Sequence, residues 1–240
     1  MYHRVTERNR DRLSVHPSEF ERQIDYLLGR NYRILDLSDL SRSGIQKTGP
    51  RPAVILTFDD GYLDFYENVF PVLKARRLPA AVFIIVGLVE GNVPLHLARG
   101  YPDPAAPLTW EMLKEMSLDG VTVGSHSFTH RELPRLNREE AEKEIESSAL
   151  LIADRLGRRP LWFAYPRGKF NSSLEDTVRK AGYSGAVTVR PGSNRYPLNL
   201  FSLRRTEICG EDDMVDFKMK LRGAFDPWHF VWQAFKGEKL

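Results

Sequence analysis

The chain has one cysteine, Cys209, among 240 residues. That excludes an internal disulfide and removes any need for an oxidising compartment. It has no apolar run long enough to span a bilayer, and Met1 is followed by Tyr-His-Arg rather than by the apolar stretch of a secretion signal. A soluble, cytoplasmic protein is the expectation, with a trimmed secreted form as the alternative. It has little charge imbalance: 35 basic and 32 acidic residues leave a net +3, which gives no nucleic-acid footprint. The basic cluster Arg4, Arg8, Arg10 and Arg12 is broken by Glu7 and Asp11 and reads as a solvated loop. No internal repeat and no low-complexity linker divides the chain, which points to a single domain.

What is present is an alternation of strand-like and helix-like patterns from end to end, with 42% hydrophobic residues to supply a core. Ser18-Glu19-Phe20-Glu21 has capping-box form, and Phe20, Ile24, Leu27 and Leu28 then recur at helical spacing until Gly29. Strands are expected at Tyr32–Leu35, Ala53–Phe58, Ala80–Val86, Val121–Ser125, Leu161–Tyr165, Ser184–Val189 and Leu203–Ile208. Helices are expected at Leu63–Arg77, Thr109–Met116, Leu174–Ala181 and Met214–Leu221, with another after the capping box Asn137-Arg138-Glu139-Glu140 that ends at Gly157. Ser41–Pro52 reads as a polar loop, and Gly87–Leu108, with its four prolines, as a long surface loop flanking a substrate groove. The sum is an α/β domain with about seven mainly parallel strands, curled into a distorted (β/α) barrel.

In such folds chemistry gathers where strands end. Thr57-Phe58-Asp59-Asp60-Gly61 and His126-Ser127-Phe128-Thr129-His130 each follow an apolar strand, and Tyr165-Pro166-Arg167 reaches the same edge. Adjacent carboxylates repel unless a cation or separate partners relieve them. Taken alone, Asp59-Asp60-Gly61 reads as a helix cap, and two histidines four apart read as a surface pair. Together they offer an Asp-His-His set for a divalent metal with one carboxylate left over as a base, because catalytic zinc sites take three protein ligands and leave room for water. Zinc is the default on ligand chemistry, and Co²⁺, Ni²⁺ or Mn²⁺ also suit such a set.

These motifs resemble the first two signature motifs of the polysaccharide deacetylases, carbohydrate esterase family 4, also called the nodulation-deacetylase homology domain. Tyr2-His3-Arg4-Val5, Phe20, Gln23, Tyr26-Leu27 and Phe163-Ala164-Tyr165-Pro166-x-Gly168 resemble the branch whose chain is permuted relative to the chitin and peptidoglycan deacetylases. The resemblance spans residues 1–240 as one such domain, with its core motifs between 53 and 208. It implies a metal-dependent N-deacetylase acting on N-acetylated amino sugars in a glycan or glycan precursor, as in exopolysaccharide assembly. It also implies metal ligands Asp60, His126 and His130, and Asp59 as general base. It places the oxyanion or substrate contact at Tyr165 and Arg167, by the backbone N–H after Pro166. The general acid is implied to be His3 on the first strand, with His229, in the aromatic tail Phe225-Asp226-Pro227-Trp228-His229-Phe230, as the alternative.

The chain departs from the family pattern in its third motif. Ala164 stands where an Arg usually pairs with the catalytic Asp, and Arg167 stands where Tyr is usual. Arg205 in Leu203-Arg204-Arg205 is then the candidate for orienting Asp59. Trp110 could stack on a sugar ring, although burial is its commoner role. Two other functions remain open at this point. One is amide hydrolysis on a small non-sugar substrate, which a closed pocket would favour. The other is a non-catalytic glycan-binding protein, which would have no use for a base beside a metal.

Overall fold

Runs of small and β-branched apolar residues, with no polar residue to spare for solvent, form strands that must be covered on both faces. In the computed structural model, which describes residues 1–7, 11–41, 52–92 and 106–223, five of them make a parallel sheet. Its order is β5 (Thr57–Phe58), β6 (Ala80–Ile84), β7 (Val121–Ser125), β8 (Trp162–Ala164) and β9 (Gly185–Val187), a succession that follows the chain. Two short parallel pairs flank it: β1 (Arg4–Val5) with β2 (Ser14–Val15), and β3 (Arg33–Ile34) with β4 (Ala53–Val54).

The sheet curls towards closure. Tyr2 bridges Phe58 at one edge, and Leu203 bridges Val187 at the other. The seam is joined where the Ile208 N–H donates to the Met1 carbonyl at 2.9 Å. Of the seven expected strands, five supply the ladder, Tyr32–Leu35 supplies β3 of a separate pair, and Leu203–Ile208 is held by the single bridge at Leu203. Leu203–Ile208 does not form a regular strand, and Ala53–Phe58 is two short strands interrupted at Ile55-Leu56.

The helices are α1 (Pro17–Gly29), α2 (Phe70–Arg76), α3 (Val86–Val89), α4 (Trp110–Leu118), α5 (Arg138–Leu156), α6 (Ser172–Lys180) and α7 (Met214–Leu221). Helix α1 starts one step before its expected cap. Pro17 presets the first helical residue, so His16 becomes the cap, its Nδ1 accepting from the Ser18 N–H at 3.2 Å. The helix expected at Leu63–Arg77 carries a π-helical turn at Phe65–Val69 just before Pro71. Proline brings no N–H and its ring crowds the carbonyl four residues back, so the preceding turn widens and Phe70 donates instead to Phe65. Both sides of the Asn137–Glu140 capping box form, and Gly157 ends α5 in a left-handed conformation. The expected loop after β6 opens instead with the buried turn α3. Residues 42–51, most of that loop's remainder at 93–105, and the aromatic tail with His229 lie outside the described residues, as do Arg8 and Arg10.

Alternate residues of β6 serve two cores. Ala81 and Phe83 point into the barrel with Leu37, Trp162, Ala164, Val187 and Leu203, while Ala80, Val82 and Ile84 face outward. The rings fit because glycine faces them: a Cβ on Gly124 would lie 2.6 Å from the Phe83 ring, and one on Gly185 would lie 2.3 Å from Trp162. Outside, Tyr2 stacks on Phe58 at 5.2 Å with Phe20 edge-on at 5.5 Å. The interior is packed with rings and aliphatic chains, and ionisable side chains collect at the carboxyl ends of β5, β7 and β8.

Candidate active site

Strand β5 ends in two successive left-handed residues, Asp60 at φ 74° and Gly61 at φ 82°. Gly61 is obligatory there, because a Cβ would also meet Ile84 Cγ2 at 2.9 Å. The reversal sends neighbouring carboxylates in different directions. Four of the six non-glycine residues with positive φ among the described residues, Asp60, Ser127, His130 and Arg167, fall in the three expected motifs. Such conformations cost about 1–3 kcal/mol each, so strain concentrates at this end of the sheet.

Asp60, His126 and His130 come together, all buried, with one ligand atom from each lying within 4.8 Å of the others. Asp60 Oδ1 stands 3.6 Å from His126 Nε2 and 3.8 Å from His130 Nε2. The other ring nitrogen of His126, Nδ1, lies 2.8 Å from the Ala164 carbonyl. A carbonyl can only accept, so Nδ1 carries the proton, and in the neutral ring Nε2 is the nitrogen that presents a lone pair toward Asp60. An acceptor carboxylate beside an imidazole lone pair is a repulsive pairing unless a cation lies between them. The donor set therefore fits a divalent metal.

The loop carrying the histidines is held from below by α5. Glu144, 7% exposed, accepts from the backbone N–H groups of Phe128 at 3.1 Å and Thr129 at 2.8 Å, and from the Thr129 hydroxyl. Ser127 Oγ accepts from the His130 N–H at 2.9 Å, and the Ser127 N–H in turn donates to Ser125 Oγ. Sequence reasoning missed Glu144. The available signal was a charged residue on the helical stripe Ala141, Ile145, Ser148, Ile152, where every neighbour is buried.

Asp59 is 2% exposed and forked by Arg205, whose Nη1 and Nη2 each donate at 2.7 Å. Arg205 is itself fixed: Nε donates to the Thr188 carbonyl at 2.8 Å and Nη1 to Thr57 Oγ1 at 3.3 Å. Burial on its own would push the Asp59 carboxyl upward. The Arg205 guanidinium and its hydrogen bonds outweigh it and hold the group well below the usual carboxylate range. Asp59 Oδ2 is 3.9 Å from His126 Nε2, so the ionised carboxylate borders the Asp-His-His set. His3 is buried too, with Nδ1 3.6 Å from Glu207 Oε1.

Tyr165 is tied into the scaffold. Its N–H donates to the Val187 carbonyl, its hydroxyl to the Phe201 carbonyl at 3.1 Å, and its ring stacks on Phe170 at 4.8 Å. Both of its donors are thus engaged inside the protein, in contrast to the expected oxyanion or substrate contact. Arg167 follows Pro166 with φ 57° and ψ 16°, its side chain half exposed. Trp110 is partly buried and its indole donates to Glu90 at 2.7 Å, which ties it to the scaffold.

A family profile described as polysaccharide deacetylase matches residues 46–186. The chain belongs to the polysaccharide deacetylase family. Among similar deacetylases, YxkH of Bacillus subtilis (strain 168), named as a polysaccharide deacetylase, is 30% identical over 209 residues, or 87% of this chain and 70% of that one. The poly-beta-1,6-N-acetyl-D-glucosamine N-deacetylase of Staphylococcus aureus (strain MRSA252) is 27% identical over 76% of this chain. The match spans 65% of that enzyme's length. The deacetylase PplD of Streptococcus pyogenes, solved in complex with acetate, superposes with a TM-score of 0.77 at 25% identity, over 92% of this chain and 96% of that one. IcaB from Ammonifex degensii gives 0.77 at 26% identity, over 93% and 94%. Members of the deacetylase family are carbohydrate deacetylases, and the curled parallel sheet is their fold. No helix among the described residues is long and apolar enough to cross a membrane.

Proposed function

We propose that this chain is a metal-dependent N-deacetylase that cleaves the acetamido group of N-acetylated amino sugars in a glycan or glycan precursor. The observation that carries it is the buried Asp60–His126–His130 set bordered by a second carboxylate, Asp59, that an arginine keeps ionised. Binding alone would need no such base. Asp60, His126 and His130 would hold the ion, with zinc favoured by one carboxylate and two imidazoles. Once bound, such an ion supplies Lewis-acid polarisation of the amide carbonyl and brings the pKa of a water down to about 7.

Asp59 receives the proton of the attacking water. Each of its oxygens accepts one bond from Arg205 and retains a second lone pair, so the fork aims the carboxylate without using it up. A positioned base of this kind is worth about 10² to 10⁴ in rate. As the C–O bond forms, the carbonyl oxygen gains charge, and the N–H of Arg167 is our choice of donor to it. His3, buried beside Glu207, hands a proton to the nitrogen as the C–N bond breaks, leaving acetate and a free amine.

The test is acetate release from N-acetylglucosamine oligomers by zinc-loaded protein, with Asp59→Asn and His3→Ala alongside and zinc content measured in each. Activity lost in Asp59→Asn with zinc retained supports a separate base, and loss in His3→Ala with zinc retained supports the acid. Full zinc loading with no release from any acetylated sugar would overturn the reading.

A further inference from the structure

The lip of this site carries an excess of positive charge. Glu132, two residues after His130, has a side chain only 12% exposed and is approached by three cations. Arg135 Nε lies at 2.8 Å, Arg167 Nη1 at 3.2 Å and Lys169 Nζ at 3.4 Å. One carboxylate neutralises one of them, so the group keeps a formal +2. Arg190 places its guanidinium 4.7 Å from the ring of Phe170, the residue that follows Lys169. It is brought there because Gly168, at φ 66°, packs so closely on Val189 that a Cβ would lie 2.6 Å from the Val189 backbone nitrogen.

Placement gives the charge its meaning. Glu132 and Arg135 belong to the loop that leaves the second histidine ligand, and Arg167 and Lys169 to the turn after Ala164, whose carbonyl fixes the first. The outer parts of these side chains remain in solvent: Arg135 is 77% exposed, Arg167 53% and Lys169 46%. A purely structural strut between two loops needs one cation per carboxylate. Three gathered cations with exposed heads cost self-repulsion that a bound anion relieves.

We infer that the glycan acted on here is anionic, with a phosphate or carboxylate close to the acetamido sugar being hydrolysed, held by Arg135, Lys169 and Arg167. This rests on the deacetylase reading of the neighbouring site and adds the substrate's charge to it. Exposed ion pairs are individually weak, about two- to five-fold each, and salt screens them.

Three matched oligomers of N-acetylglucosamine discriminate the sources of charge: neutral, 6-phosphorylated, and capped with a uronic acid. At low salt the favoured anionic oligomer should show kcat/KM about ten-fold above the neutral one, with the advantage disappearing as ionic strength rises. Arg135→Gln/Lys169→Gln should abolish most of the advantage through KM. Glu132→Gln should enlarge it, whereas loss of a mere strut would lower turnover of all three oligomers alike. Equal kcat/KM for all three oligomers without salt dependence, or an advantage intact in the double variant, would overturn the inference. If none of the oligomers is hydrolysed, the deacetylase reading fails, and calorimetry decides the lip separately. Tighter binding of an anionic oligomer than of the neutral one, lost in the double variant, upholds the inference, and equal binding overturns it.

Discussion

Removing Arg205 isolates a charge that the protein has paired in its interior. In metal-free protein, Arg205→Met leaves the Asp59 carboxylate, 2% exposed, without either of its two 2.7 Å donors. Breaking a buried pair from one side typically costs about 3–5 kcal/mol, because an uncompensated charge stays behind. Asp59→Asn is milder. The amide keeps one acceptor for the guanidinium, and Arg205 retains the Thr188 carbonyl, so a loss of about 1.5–3 kcal/mol is expected. The double variant removes both charges and should cost less than the sum of the singles, with a coupling of about 2–3 kcal/mol. Reversible guanidinium unfolding followed by tryptophan fluorescence measures all four corners of the cycle. The pH dependence fixes the sign. Asp59 is depressed in the fold, so its contribution is fully present above the unfolded-state pKa of about 3.9 and is lost as pH falls through the lower folded value. The coupling should therefore be equal at pH 7 and pH 5 and shrink on further acidification. Additivity within about 0.5 kcal/mol at pH 7, or a coupling that grows with acid, would refute the reasoning.

Glu144→Ala should lower zinc affinity about 10- to 100-fold by releasing the Phe128–Thr129 backbone, and chelator competition would read it; unaltered affinity would mean the loop holds itself. Gly185→Ala should destabilise by at least about 1–3 kcal/mol, since the new methyl meets Trp162 at 2.3 Å and the Leu200 carbonyl at 2.6 Å. Gly29→Ala, at the end of α1 with nothing within 4 Å, should instead stabilise by about 0.5–1 kcal/mol, and urea midpoints would compare the two. Cys209 has its thiol pushed up to about 11, by burial first and Glu207 second. Its alkylation by iodoacetamide at pH 8 should be slower by about 10² than in the unfolded chain, where the pKa is about 8.5.

The Asp-His-His cluster was legible in the sequence because its information is local. Asp60 ends one apolar strand, and His126 and His130 occupy one loop after another. The same holds for the Asn137 capping box and the apolar strands. What the sequence did not display is set by distant partners. Nothing in the Glu-rich run of α5 marks Glu144 except its place on the buried stripe, and its meaning depends on a loop fifteen residues away. Arg205 was reached through the family's third motif, by asking what replaces the arginine lost at Ala164, and the fork on Asp59 spans 146 residues. For Tyr165 a motif position does not say which way a strand end turns, and here both donors of that residue bond inside the protein. The π-helical turn had its signal in Pro71, which a helical periodicity does not weigh.

That 146-residue span gives the site an assembly order. Asp60, His126 and His130 can meet once the first three strands of the sheet have paired, each strand beside its predecessor in sequence. The clamp on Asp59 waits for nearly the whole sheet to be laid down, and the seam to Met1 closes only when residues 206–208 arrive. Long-range contacts of this kind form late. A chain emerging from the ribosome would thus assemble the Asp-His-His cluster, and any ion it takes, well before it holds the clamped Asp59. In refolding from denaturant, ion uptake should run ahead of the return of turnover.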